Sequence, residues 1–194
     1  MAISYPLSLP THTGIASIEL RAINTVAYSR SPFTLKGQAH AYAGEAWEAD
    51  ISLPPMKRAD AEQWISFLMS LRGQFGTFLL NDPSATSVRG TATSATITGS
   101  VGDRSVTVAM TGTLKAGDYF SLGTGTSTRL YKVLEDKSGG GTLEIWPALR
   151  AAASSSSADL TSASGTFRLA SNEQSWSVNE ASIYGITFGA FEAL

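Results

Sequence analysis

The stretch EAWEADISLPP, residues 45 to 55, constrains the fold more than any other. Trp47, Ala49, Ile51 and Leu53 recur at every second position, with Glu48, Asp50 and Ser52 between them. Successive side chains of a strand point to opposite faces, so this alternation builds a sheet with one apolar side and one polar side. Pro54-Pro55 must end the strand, because proline has no N–H to give the ladder. The apolar side then needs a second layer to cover it.

The next residues supply a candidate cover. In ADAEQWISFLMSLRG the spacing predicts one helix over 60–72, of about three turns. Asp60 and Gln63 have capping-box spacing, and Ala61, Trp64, Ile65, Leu68 and Leu71 recur at helical intervals. Gly73 can adopt the left-handed conformation that closes a last turn. Trp64, Ile65, Leu68 and Leu71 are the expected helix-to-sheet core. Phe67 and Met69 lie off the centre of that stripe, either as contacts to a subunit or second domain or as a wider buried stripe. GQFGTFLLNDP then predicts a strand around Thr77 to Leu80, ended by the turn residues Asn81, Asp82 and Pro83.

From Ser84 the texture changes. Residues 84 to 164 hold short alternating runs (SATIT, SVTVAM, DYFSLG, TRLYKVL, TLEIW) between Gly-rich turns, as expected of a small barrel or sandwich. The Ala/Ser tract AAASSSSAD, residues 151 to 159, reads as a flexible loop. At residue 165 GTFRLASN echoes GTFLLNDP of residues 76 to 83, as if two similar strands flanked an insertion. The tail supplies closing strands with Tyr184, Ile186 and Phe188 on one face, and its apolar end is expected to pack. The expected fold is therefore mainly β: a β-sandwich with one short flanking α-helix (1–83 plus 165–194) and an inserted small all-β barrel or sandwich domain (84–164).

The residues for chemistry are scattered. The 194-residue chain carries a formal charge of −2 and no Lys/Arg cluster, which argues against a grip on nucleic acid. Without cysteine it has no disulfide, thiolate nucleophile or cysteine-ligated zinc. His12 and His40 lack a second metal ligand at a recognised spacing, so no metal or other cofactor is expected. No GxSxG elbow, Walker lysine or GxGxxG pattern occurs. The acids Glu45, Glu48 and Asp50, and Glu135 with Asp136, read as solvent-facing. The four tryptophans read as core rather than as a sugar platform. MAISYPLSLPTHTG does not read as a signal peptide, and no apolar run approaches the roughly 20 residues of a membrane span, so a soluble cytoplasmic product is expected. The chain is not expected to be an enzyme.

In order along the chain, WEADISLPPMKRADAEQWISFLMSLRGQFGTFLLNDP, the β-rich segment with GDYFSLG, RLYKVL and LEIWPALR, then GTFRLASNEQSWSVN and YGITFGAFEAL resemble the distal tail proteins of long-tailed bacteriophages and prophages. The resemblance implies a virion structural protein at the tail tip, assembled in the host cytoplasm. It implies a homohexameric ring of sandwich domains, with tail-tube and tail-tip hub proteins as partners, and a second β domain projecting outwards. It brings no catalytic residues. A carbohydrate-binding β-sandwich module is the alternative reading. Many members of that family carry a second domain larger than 84–164, sometimes a carbohydrate-binding module, so the resemblance favours architecture over glycan binding here.

Overall fold

A computed structural model describes residues 3–11 and 14–194. The fold is mainly β, with a single α-helix and several antiparallel sheets among the described residues. Strand β1 (Ser17–Arg30) and strand β2 (Gly37–Ser52) form a long antiparallel hairpin. Only the last turns of β2 follow the expected pattern, with Glu45, Trp47, Ala49 and Ile51 buried on one face. After the two prolines a short strand β3 (Met56–Lys57) leads directly into helix α1 (Arg58–Ser70).

The helix therefore starts earlier than its capping-box spacing predicts. Lys57 stands at the N-cap with no side-chain hydrogen bond, and Asp60 lies inside the first turn. Because β3 is already held by its neighbour in the sheet, the strand fixes where the helix begins and no cap is needed to do so. At the far end Arg72 and Gly73 both take positive φ, and the Gly76 N–H closes on the Leu71 carbonyl at 2.7 Å. A β-carbon on Gly76 would stand 2.6 Å from the Tyr5 ring and 2.8 Å from that same carbonyl, so only glycine lets the chain turn here.

Strand β4 (Phe78–Leu80) follows, and Asp82 holds the next turn by accepting the Ser84 N–H at 2.9 Å. Then come β5 (Ala95–Gly99), β6 (Ser105–Met110), β7 (Thr113–Leu114), β8 (Tyr119–Leu122), β9 (Arg129–Val133), β10 (Lys137–Ser138), β11 (Gly141–Trp146) and β12 (Ala153–Ala158). Six of them form one sheet in the order β12-β5-β6-β11-β9-β8. A bridge between Ser121 of β8 and Asp159, just past β12, brings the two ends together into a nearly closed barrel. Its core is separate and holds Ile97, Val106, Val108, Leu143, Ile145 and Tyr131 among others.

The Ala/Ser tract is thus a strand and not a loop. Pairing with β5 satisfies its backbone, and its small side chains Ala153 and Ala158 fit into the barrel core. The register slips between Ala153 and Ser156, where Ser155 takes positive φ.

The chain returns through β13 (Gly165–Leu169), β14 (Trp176–Val178) and β15 (Ile183–Glu192). The first sheet runs β1-β2-β15-β13-β4, with β3 and β14 also on β15. The two echoing segments lie side by side, Phe167 opposite Phe78 and Thr166 opposite Leu79. The chain leaves and re-enters this sheet at adjacent strands. Helix α1 packs Trp64, Ile65, Phe67, Leu68 and, just beyond it, Leu71 into the core with Ile51, Phe78, Phe167 and Phe188.

Candidate functional site

Phe67 does not reach the surface. It is buried edge-on against Trp64 and Phe78, with ring centroids 5.9 and 5.6 Å away, and so widens the core stripe. Its place on the helix, three residues after Trp64, turns it toward β4 and into the core of the single chain. Met69 is exposed, as are Phe75 in the loop after the helix and Ile3. Trp64, Ile65, Leu68 and Leu71 are all buried in the core.

The largest exposed apolar feature is the hairpin. From residue 23 on β1 to residue 44 on β2 no residue is buried on either face, over a reach of roughly 25 Å. Val26, Tyr28, Phe33, Leu35 and Tyr42 are all more than half exposed, and Phe33 at the tip reaches 94%. Val26 and Tyr28 lie opposite Ala41 and Ala39, giving one face a continuous apolar strip. His40 stacks edge-on against Tyr42 on the other face, 4.8 Å between ring centroids. Strand β15 pairs β2 only from Glu48 to Ser52, so the outer edges of both strands are open along this ribbon among the described residues.

Open edges and exposed apolar faces are what soluble proteins normally avoid, because each free N–H and C=O is a template for another chain. The sequence shows clear alternation only over residues 45 to 53. Nothing in residues 23 to 44 signals that these two strands pair only with each other among the described residues.

The second unforeseen feature is a polar seam between the first sheet and the barrel. Glu45, expected to face solvent, is buried, and its carboxylate accepts hydrogen bonds from Arg104 at 2.8 Å and from the Ala148 N–H at 2.6 Å. Glu192, also buried, accepts from Arg150 at 2.8 Å and from the Trp47 N–H at 3.2 Å. The Trp47 indole donates to the Leu130 carbonyl at 3.0 Å and meets Trp146 edge-on at 4.4 Å. A buried carboxylate is tolerated only when paired and hydrogen-bonded, and both of these are. Trp47 and Trp64 are core residues, whereas Trp176 is 41% exposed on edge strand β14.

Inside the barrel Asp118 plays a similar part. Burial raises its pKa, but N–H donors from Lys115, Arg89 and Gly90 and the Arg89 guanidinium outweigh that and hold the carboxyl below its ordinary value. Burial also pushes the Tyr131 phenol up. No group of three or more metal-ligating residues occurs among the described residues, and no helix there is long and apolar enough to cross a membrane. His12 lies outside the described residues, and His40 is exposed on the hairpin. Compared with known proteins, the chain matches no family model and no curated sequence.

Proposed function

We propose that this protein is a structural component of a phage or prophage tail tip, of the distal-tail type, which forms a closed ring between the tail tube and the hub or receptor-binding apparatus. In this reading residues 1–83 and 165–194 are a ring-forming sandwich domain, and the barrel is a domain inserted at 84–164. The single observation that carries it is the β1–β2 ribbon with its two open edges.

A ring repeats one heterologous contact, so each copy needs two different complementary surfaces. The ribbon has them. Its edges belong to strands of opposite direction, so when every copy points the same way about an axis, the β1 edge of one runs antiparallel to the β2 edge of the next. Pairing there satisfies the free backbone groups by strand addition. It also sets the side chains of the neighbouring strand beside Val26, Tyr28 and Tyr42, which are all more than half exposed in the single chain.

The test is assembly. Light scattering and negative-stain imaging of the purified chain, alone and with its cognate tail-tube protein, are expected to reveal rings. Replacing Val26 and Tyr28 by glutamate should abolish rings while leaving the thermal midpoint unchanged. A chain that stays monomeric under both conditions and binds glycans on an array would overturn the reading in favour of a carbohydrate-binding module.

A further inference from the structure

Asn24 and Glu45 are cross-strand partners at the base of the ribbon, the last pair before the register slips between Asn24 and Val26. Each is gripped by the barrel. The Trp146 indole N–H donates to Asn24 Oδ1 at 2.8 Å. Arg104 and the Ala148 N–H hold the Glu45 carboxylate, and the Arg150 guanidinium donates to the Glu45 backbone carbonyl. Arg104 precedes β6, Trp146 ends β11, and Ala148 and Arg150 follow it, all at one end of the barrel. Beyond this pair, β1 and β2 are paired only with each other among the described residues.

A two-stranded ribbon alone is marginally stable, and a register slip bends and twists it. Its direction must be fixed at the base or not at all. We propose that the barrel is a strut that sets the direction in which the β1–β2 ribbon leaves the first sheet, with Asn24 and Glu45 as positioning residues. The use of that direction, to present the ribbon to the next copy, rests on the ring reading; the clamp itself does not. A domain hung there only to project outwards would have no need to hold both strands of one pair.

The absence of native cysteine permits a direct test. Spin labels are placed on the full chain through Thr34→Cys at the ribbon tip and Glu135→Cys on the barrel, both exposed positions. The labelled protein is diluted with unlabelled chain so that only distances within one molecule are read. The parent is expected to give one narrow distance, which Arg104→Met and Trp146→Phe each lose to a broad distribution well below their thermal midpoints. Trp146→Phe keeps the aromatic contact with Trp47 and removes the N–H, so it decides the outcome should Arg104→Met fold poorly. A parent distribution that is already broad, or folded variants as narrow as the parent, would overturn the strut. A narrow parent, broadened variants and no ring in any assay would leave the strut standing and sink the ring reading alone.

Discussion

Arg150 and Glu192 form the most enclosed ion pair among the described residues, 2.8 Å apart with the Glu192 carboxyl only 1% exposed. Arg150 lies just past β11 of the barrel and Glu192 ends β15, so the contact ties the barrel to the strand at the centre of the first sheet. Removing one partner from a buried pair strands the other charge, which costs about 3–5 kcal/mol. Arg150→Met is therefore expected to lower unfolding stability by about that much in urea titrations. Arg21→Ala, which breaks an exposed pair with Asp50, should cost less than about 1 kcal/mol. Equal effects from the two would contradict the assignment of the seam as buried.

The Glu45–Arg104 contact differs, because Arg104 is half exposed while Glu45 is not. A double-mutant cycle with Glu45→Gln and Arg104→Met isolates the pair from the Ala148 N–H that Glu45 also accepts. The expected coupling is about 1–2 kcal/mol, typical of residues in one hydrogen-bond network. A coupling near zero would mean that Ala148 alone holds the carboxylate.

Much of the fold was legible where one face of an element meets a core. Trp47 to Leu53 and the Trp64, Ile65, Leu68, Leu71 stripe show it, because burial on one side writes a period into the residues. The Asn81-Asp82-Pro83 exit and the return at Gly165 were legible through turn chemistry and an echo, and both strands pair in the sheet. Glu45 and Glu192 were not legible. A carboxylate buried against an arginine 59 or 42 positions away has the same local pattern as one in water, since only tertiary packing brings its partner. The Ala/Ser strand was missed for a related reason: its pairing with β5 supplies what its side chains lack. The open ribbon was invisible because alternation reports which residues share a face, not whether anything covers it.

Phe67 and Met69, two residues apart on α1, should now separate cleanly. Phe67→Ala removes a ring from the aromatic cluster of Trp64 and Phe78 and is expected to cost about 3–5 kcal/mol in denaturant unfolding. Met69→Ala, at an exposed position, should stay within about 0.5 kcal/mol. If Met69→Ala weakened ring assembly at unchanged stability, the helix would carry a second contact in addition to the ribbon.

Asp118 is expected to make the barrel sensitive to acid. Its folded pKa lies below the ordinary value, since the hydrogen bonds from Lys115, Arg89 and Gly90 together outweigh the burial that would raise it. For a depressed acid the stabilisation is fully present above the unfolded pKa, about 3.9, and is lost as pH falls through the folded one. Stability measured from pH 6 downwards is expected to hold to about pH 4 and then to decline. Asp118→Asn should remove that part of the acid dependence at a cost in stability near neutrality, because a neutral amide oxygen accepts those N–H groups less strongly than a carboxylate. The side chain is 1% exposed, so water cannot substitute for the lost acceptor. Asp136 also lies below its ordinary pKa, through Lys115 and the Ala116 N–H, but it is exposed; Asp136→Asn should leave the acid limb almost unchanged. An Asp118→Asn curve parallel to the parent's through the acid range would show that other carboxylates govern the loss.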